Sequence, residues 1–165
     1  QVVIDFNPCN MLPDLIEYMY TEYITLTQEN IMPLMELSKY YGVNSLYEGL
    51  CGKLNEEITP ENILYFVQVC YENNLSFTLE IISKCHVARL YDSLDRSEFT
   101  NIFDIKTFCI ILTEAVLTYG FRGNLKNEVL QFMGNEQPQS SEEADALNSL
   151  SQFSKDVPHY RVSPQ

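Results

Sequence analysis

The chain has 165 residues, 45% hydrophobic and 20% charged, which is a globular balance and enough for one ordinary domain plus a tail rather than two domains. Its 23 acidic residues against 10 basic ones give a net charge of -13. Such a chain repels phosphate backbones and anionic lipid, so the composition argues against nucleic-acid and membrane partners and favours protein partners. The five cysteines, at 9, 51, 70, 85 and 109, are odd in number and form no CxxC pair. They read as reduced core thiols of a cytoplasmic or nuclear protein rather than as a disulfide framework or metal site.

Residues 1–6 are rich in β-branched side chains and end at Asn7-Pro8, which predicts a short β-strand. Two helix starts then look alike, because Asn10 and Asn30 each stand three residues before a proline, Pro13 and Pro33. An N-cap asparagine would put each proline at the third helical position, where its missing N–H removes no intrahelical bond. Between these helices, residues 21–26 are expected to be extended.

A second likeness starts at Thr27. Thr27-Gln28-Glu29-Asn30-Ile31 is answered by Thr59-Pro60-Glu61-Asn62-Ile63, and the stretch from Tyr40 to Leu46 by that from Tyr71 to Leu75. Each unit reads as helix, tight turn, helix. Leu46, Leu50, Leu54 and Ile58 recur every fourth residue, while Ile63, Phe66, Val67, Cys70 and Tyr71 follow i, i+3, i+4, i+7, i+8. Two successive helical hairpins, each apolar on one face, must stack on neighbours.

Phe77, Leu79, Ile81, Ile82, Cys85 and Ala88 form a broad apolar arc, predicting a buried helix over 77–91. After a polar break at residues 95–98, Ile105, Phe108, Cys109, Leu112, Val116 and Tyr119 predict another helix, with Gly120 as its stop. Leu125, Val129 and Met133 suggest a last short helix. Residues 134–165 turn to Ser, Gln, Glu and Pro and read as a disordered tail.

No catalytic constellation emerges. Cys85 and His86 are adjacent on a helix and point about 100° apart, so they read as a core thiol beside a half-exposed imidazole rather than a catalytic pair. The carboxylates Glu56, Glu57 and Glu61 fit no calcium loop, and the sequence around Gly49 and Gly52 lacks the full glycine spacing of a phosphate loop. The tyrosines at 18, 20, 23, 40, 41 and 47 read mostly as core rings with their hydroxyls at the surface. The chain is therefore expected not to be an enzyme and to carry no cofactor or metal.

Leu15-Ile16-Glu17-Tyr18-Met19-Tyr20-Thr21-Glu22-Tyr23-Ile24 resembles the signature of BTB/POZ domains, an apolar helix ending in an aromatic-Tyr-Thr-Gly motif. Here Met19 takes the aromatic position and Glu22 the glycine. The helix through Leu34-Met35-Glu36-Leu37-Ser38-Lys39-Tyr40-Tyr41 and the stretch from Val43 to Leu54 are similar to the family's following helices. Ile58-Thr59-Pro60-Glu61-Asn62-Ile63 is similar to the junction where many such proteins add a helical pair, the three-box, or the start of a BACK domain.

The resemblance implies a mainly α fold, a helical-hairpin array with a short N-terminal strand. Residues 1–58 would be the later part of a BTB/POZ domain and residues 59–133 a three-box/BACK-like extension. The family's dimerising helix and first strands would precede Gln1.

It also implies a protein-interaction role, often with homo-oligomerisation and often as substrate adaptor or scaffold of cullin-RING ubiquitin ligases. The alternative is an oligomerisation scaffold in transcriptional or cytoskeletal complexes without a cullin. For the adaptor role the expected contact stretch is Ile63, Tyr65, Phe66, Val67, Cys70 and Tyr71. Tyr65 and Tyr71 are the side chains best suited to touch a cullin directly, while the other four are needed largely for folding.

Overall fold

The computed structural model describes residues 4–134 together with 141, 144–146 and 148–150. It divides into two compact units, Gln1–Val87 and Ala88–Gln165. That boundary lies inside the 59–133 extension expected from sequence.

The first unit opens with a 3-10 turn, Pro8–Asn10, followed by α1 (Leu12–Thr21), α2 (Ile31–Tyr40), α3 (Asn44–Glu57), α4 (Ile63–Glu72) and α5 (Ser76–Ile82). A π-helical turn, Ser83–Val87, ends it. The mainly helical expectation holds, but among the described residues no strand is present. Ile4 to Phe6 and residues 23–27 are irregular, because β-branched residues become a strand only where a neighbour completes the hydrogen-bond ladder. Residues 1–3 of the expected strand lie outside the described residues.

The second helix start is placed as the sequence indicates, with Asn30 the residue before α2. The first is not. Asn10 takes a left-handed backbone, φ 56°, and Asn7 does the capping, its Oδ1 accepting the Leu12 N–H at 2.9 Å.

The repeat beginning at Thr27 becomes a structural repeat. Asn30 and Asn62 each use Oδ1 to accept the N–H of the threonine three residues back, Thr27 and Thr59, at 2.8 Å in both cases. Their amides donate to carbonyls five residues back, Thr25 at 2.9 Å and Glu57 at 2.8 Å. The hairpin turns match as well. Gly42 and Asn74 have φ of 72° and 53°, and the next N–H returns to the preceding helix, Val43 to Ser38 at 2.8 Å and Leu75 to Cys70 at 2.9 Å. Glycine and asparagine are the residues that tolerate this left-handed position.

α2 is the axis of this unit. Every residue from Ile31 to Ser38 is buried, and α1, α3, α4, α5 and the first 3-10 turn all pack on it. A stretch of helix with no solvent face has no place for a charge unless that charge is satisfied.

The second unit holds a short α6 (Ala88–Leu90), 3-10 turns Tyr91–Ser93 and Arg96–Glu98, α7 (Phe99–Ile102), α8 (Ile105–Leu117) and α9 (Leu125–Met133). Asp104 caps α8 by accepting the Thr107 N–H at 2.8 Å, and Asn124 caps α9 through Asn127 at 3.2 Å. Gly120 lies past the end of α8 with φ 72°, as its position in the sequence suggests. The core combines Phe108 and Phe132, stacked at 4.0 Å, with Tyr91 against Phe99 and Phe121 at 5.8 and 4.9 Å.

One polar group is folded into that core. The Tyr91 hydroxyl donates to Glu128 at 2.8 Å, and Arg96 pairs with the same carboxylate at 3.0 Å while lying over the Tyr91 ring. Burial, then the Glu128 hydrogen bond, push the Tyr91 hydroxyl's pKa up. Of the expected disordered tail, residues 141, 144–146 and 148–150 are helical and Leu150 is buried. Apart from Gly134, the rest of that segment lies outside the described residues.

Candidate protein-interaction surface

The α4–α5 hairpin was the expected contact region, and the structure divides its six residues. Ile63, Phe66, Val67 and Cys70 are fully buried, whereas Tyr65 is 50% exposed and Tyr71 half-buried. Tyr65 stands beside Phe66 with ring centroids 5.7 Å apart in an edge contact, so a core ring braces an exposed one. The hairpin thus offers an exposed aromatic on a rigid helix.

What fixes the hairpin on the rest of the unit is a residue the sequence reading passed over. Glu36, buried in α2, accepts the Phe77 and Thr78 N–H groups at 3.2 and 2.7 Å and the Thr78 hydroxyl at 2.8 Å. These N–H groups belong to the first turn of α5, whose preceding residue, Leu75, has no side-chain oxygen to cap them. A carboxylate from α2 therefore caps α5 at a distance of 42 residues in sequence, and the positive end of the short helix stabilises it. Burial, reinforced by the Glu36 carboxylate, pushes the Cys70 thiol up to about 12. The available signal was a lone charge in the apolar run from Ile31 to Leu37.

The same omission explains the arc read along α5. The buried side is Thr78, Ile82, Ser83, His86 and Val87, while Cys85 is exposed. An apolar count misses Thr78, Ser83 and His86, and Thr78 is buried because Glu36 is there to meet it. His86, expected half-exposed, is buried.

Beside the hairpin, Lys39 of α2 places its ammonium 5.5 Å from the Tyr47 ring centroid and 5.2 Å from that of Phe77, joining α2, α3 and α5. Burial first, then a hydrogen bond with Cys51, push the Tyr47 hydroxyl up to about 12. No disulfide joins the cysteines, and Cys70 and Cys109 are buried while Cys9 and Cys85 are exposed, so the expectation of core thiols holds for only part of the set.

The tyrosines depart further from expectation. Tyr20, Tyr23 and Tyr40 are 88%, 72% and 61% exposed, and Tyr41 is exposed too. Ile16 and Met19 of α1 are also exposed, so the first unit presents more aromatic and apolar surface than a core reading allows. Among the described residues, no group of three or more metal-ligating side chains exists and no helix is long and apolar enough to cross a membrane.

Comparison with known proteins places part of the chain. Residues 1–57 match the family model of the BTB/POZ domain. A stretch of 55 residues is 33% identical to Kelch-like protein 38 of Danio rerio, covering 33% of this chain and 9% of that protein. The chain therefore spans less than a tenth of the length of the curated relative it matches. No solved structure matches it. Residues 1–57, which hold α1, α2 and α3, are thus similar to the BTB/POZ domain, whose family is one of protein-interaction modules.

Proposed function

We propose that this chain is a non-catalytic protein–protein interaction module acting as a substrate adaptor or scaffold in cullin-RING ubiquitin-ligase assembly. In this reading residues 1–58 are the BTB/POZ part, and α4 and α5 are the three-box pair that begins a BACK-like extension. The observation that carries it is the Glu36 carboxylate, which joins the BTB/POZ segment to α5 by three hydrogen bonds. The following hairpin is thereby held on the BTB/POZ segment at a fixed angle, as an adaptor needs for a cullin to be gripped by both at once. The similarity to a Kelch-like protein supports the same reading.

Titration calorimetry with cullin N-terminal fragments tests it. Tyr65→Ala removes an exposed ring and is expected to leave the melting temperature nearly unchanged while weakening capture. Phe66→Ala removes a fully buried one and is expected to destabilise by about 3–5 kcal/mol. If the unmodified chain takes up no cullin fragment, the adaptor role fails and a scaffold that oligomerises without a cullin becomes the better account.

A further inference from the structure

Residues 1–87 contain twelve acidic residues against three lysines and no arginine, and all three lysines are engaged within the unit. Lys39 lies over Tyr47 and Phe77, Lys53 pairs with Glu57 at 2.9 Å, and Lys84 pairs with Glu80 at 2.6 Å. The surplus of carboxylates at the surface is therefore left without cations of its own unit.

One of these carboxylates, Glu17, borders an apolar stripe. On α1, Ile16, Met19 and Tyr20 stand at i, i+3 and i+4, on one side of the helix, and are 45%, 62% and 88% exposed. Glu17 neighbours Tyr20 three residues along the helix, and Asp14 neighbours Glu17 by the same spacing. These two carboxylates, with Tyr23, Ile24 and Thr25, line a surface cavity of about 140 Å³.

The cavity has a fixed wall. The chain leaves α1 through Glu22, whose backbone is left-handed with φ 55° and whose N–H returns to Tyr18 at 2.7 Å. The Thr21 hydroxyl accepts the Tyr23 N–H at 3.2 Å, and the Asn30 amide holds the Thr25 carbonyl at 2.9 Å. The repeat motif that starts α2 thus also anchors the loop bordering the cavity.

We propose that this α1 face docks a basic, amphipathic segment of another protein, with a lysine or arginine entering the Asp14–Glu17–Tyr23 cavity and aliphatic side chains covering Ile16, Met19 and Tyr20. Two carboxylates and an aromatic ring around one small cavity suit an extended cation, which gains charge-assisted hydrogen bonds and ring contact together. A second copy of this chain is the poorer occupant, since it would bring the same uncompensated carboxylates to the contact. The inference stands apart from the adaptor reading, which rests on α4 and α5.

The test uses the full chain and an amidated helical peptide of leucine and arginine, its leucines at i, i+3 and i+4, with a glutamate-for-arginine peptide as control. Fluorescence anisotropy is expected to show binding of the arginine peptide alone. The double variant Asp14→Asn/Glu17→Gln should weaken it at least about tenfold, and Met19→Ser/Tyr20→Ser by a similar factor. Glu72→Gln, which removes an exposed carboxylate on α4, should change it less than about twofold. Equal losses from the cavity and Glu72 variants would mean unspecific attraction and overturn the proposal, as would no loss from the cavity variant. Circular dichroism on each variant separates lost binding from lost folding. Sedimentation showing a dimer abolished by Met19→Ser/Tyr20→Ser would assign the stripe to self-association instead.

Discussion

Asn30 and Asn62 stand 32 positions apart and make the same pair of hydrogen bonds, each accepting from a threonine N–H and donating to a carbonyl five residues back. Neither caps its own helix through the side chain, although each occupies the position before it. Each reaches backwards and ties the incoming chain to the helix start, so the motif controls the angle at which the chain enters. Asn30→Ala and Asn62→Ala are each expected to cost about 1–2 kcal/mol, two net hydrogen bonds' worth, in urea unfolding. Aspartate at either position keeps the acceptor and loses the donor, and should fall between.

The Glu36 cap gives a larger effect. Replacing Glu36 by Leu leaves two N–H groups in the first turn of α5 without their acceptor and the buried Thr78 hydroxyl with only the Met32 carbonyl at 3.4 Å, and is expected to destabilise by about 3 kcal/mol or more. Glu36→Gln keeps one acceptor oxygen without the charge and should cost roughly half as much. Pairing each variant with Thr78→Val in a double-mutant cycle measures the hydroxyl's share of the coupling directly, and independent, additive losses would contradict the Thr78 hydroxyl bond to Glu36.

Thiol chemistry checks the burial assignments. Cys70 and Cys109 are buried, and desolvation raises their thiols to about 12 and about 11, so little thiolate exists at pH 8. Alkylation of the native chain with iodoacetamide is expected to mark Cys85 early and to spare Cys70 and Cys109 until denaturant is added. Peptide mass spectrometry reads the order. Early labelling of Cys70 would show that α4 is not packed as described.

Leu150 bears on the end of the chain. Composition alone suggests that residues after 133 can be removed at little cost, yet Leu150 is buried. Leu150→Ser is expected to lower stability by about 2 kcal/mol or more, read as a drop in melting temperature. An unchanged melting temperature would return the segment to the status its composition suggests.

Much of this fold was legible because its signals are local. Hairpin periodicity around Leu46, Leu50 and Leu54 and around Ile63, Phe66 and Val67 gave the helices, and the threonine–asparagine motif gave their repeat. Relationships over long separations were not legible. Nothing near Glu36 in sequence announces that Thr78 will meet it, and buried Thr78, Ser83 and His86 look like surface residues until their neighbours are known. Tyr20, read as a core ring, was misread for the converse reason. Ile16, Met19 and Tyr20 have the spacing of a core face, and spacing cannot reveal whether anything covers it.

The burial of α2 on every side has a consequence for how the first unit opens. A helix touching water along one face can release its amide protons through local fraying, but α2 has no such face between Ile31 and Ser38. Its amides can reach solvent only when α1, α3, α4 and α5 have moved away. In native-state hydrogen exchange these protons should be the slowest of residues 1–87, and their exchange rate would report the free energy of opening that whole unit.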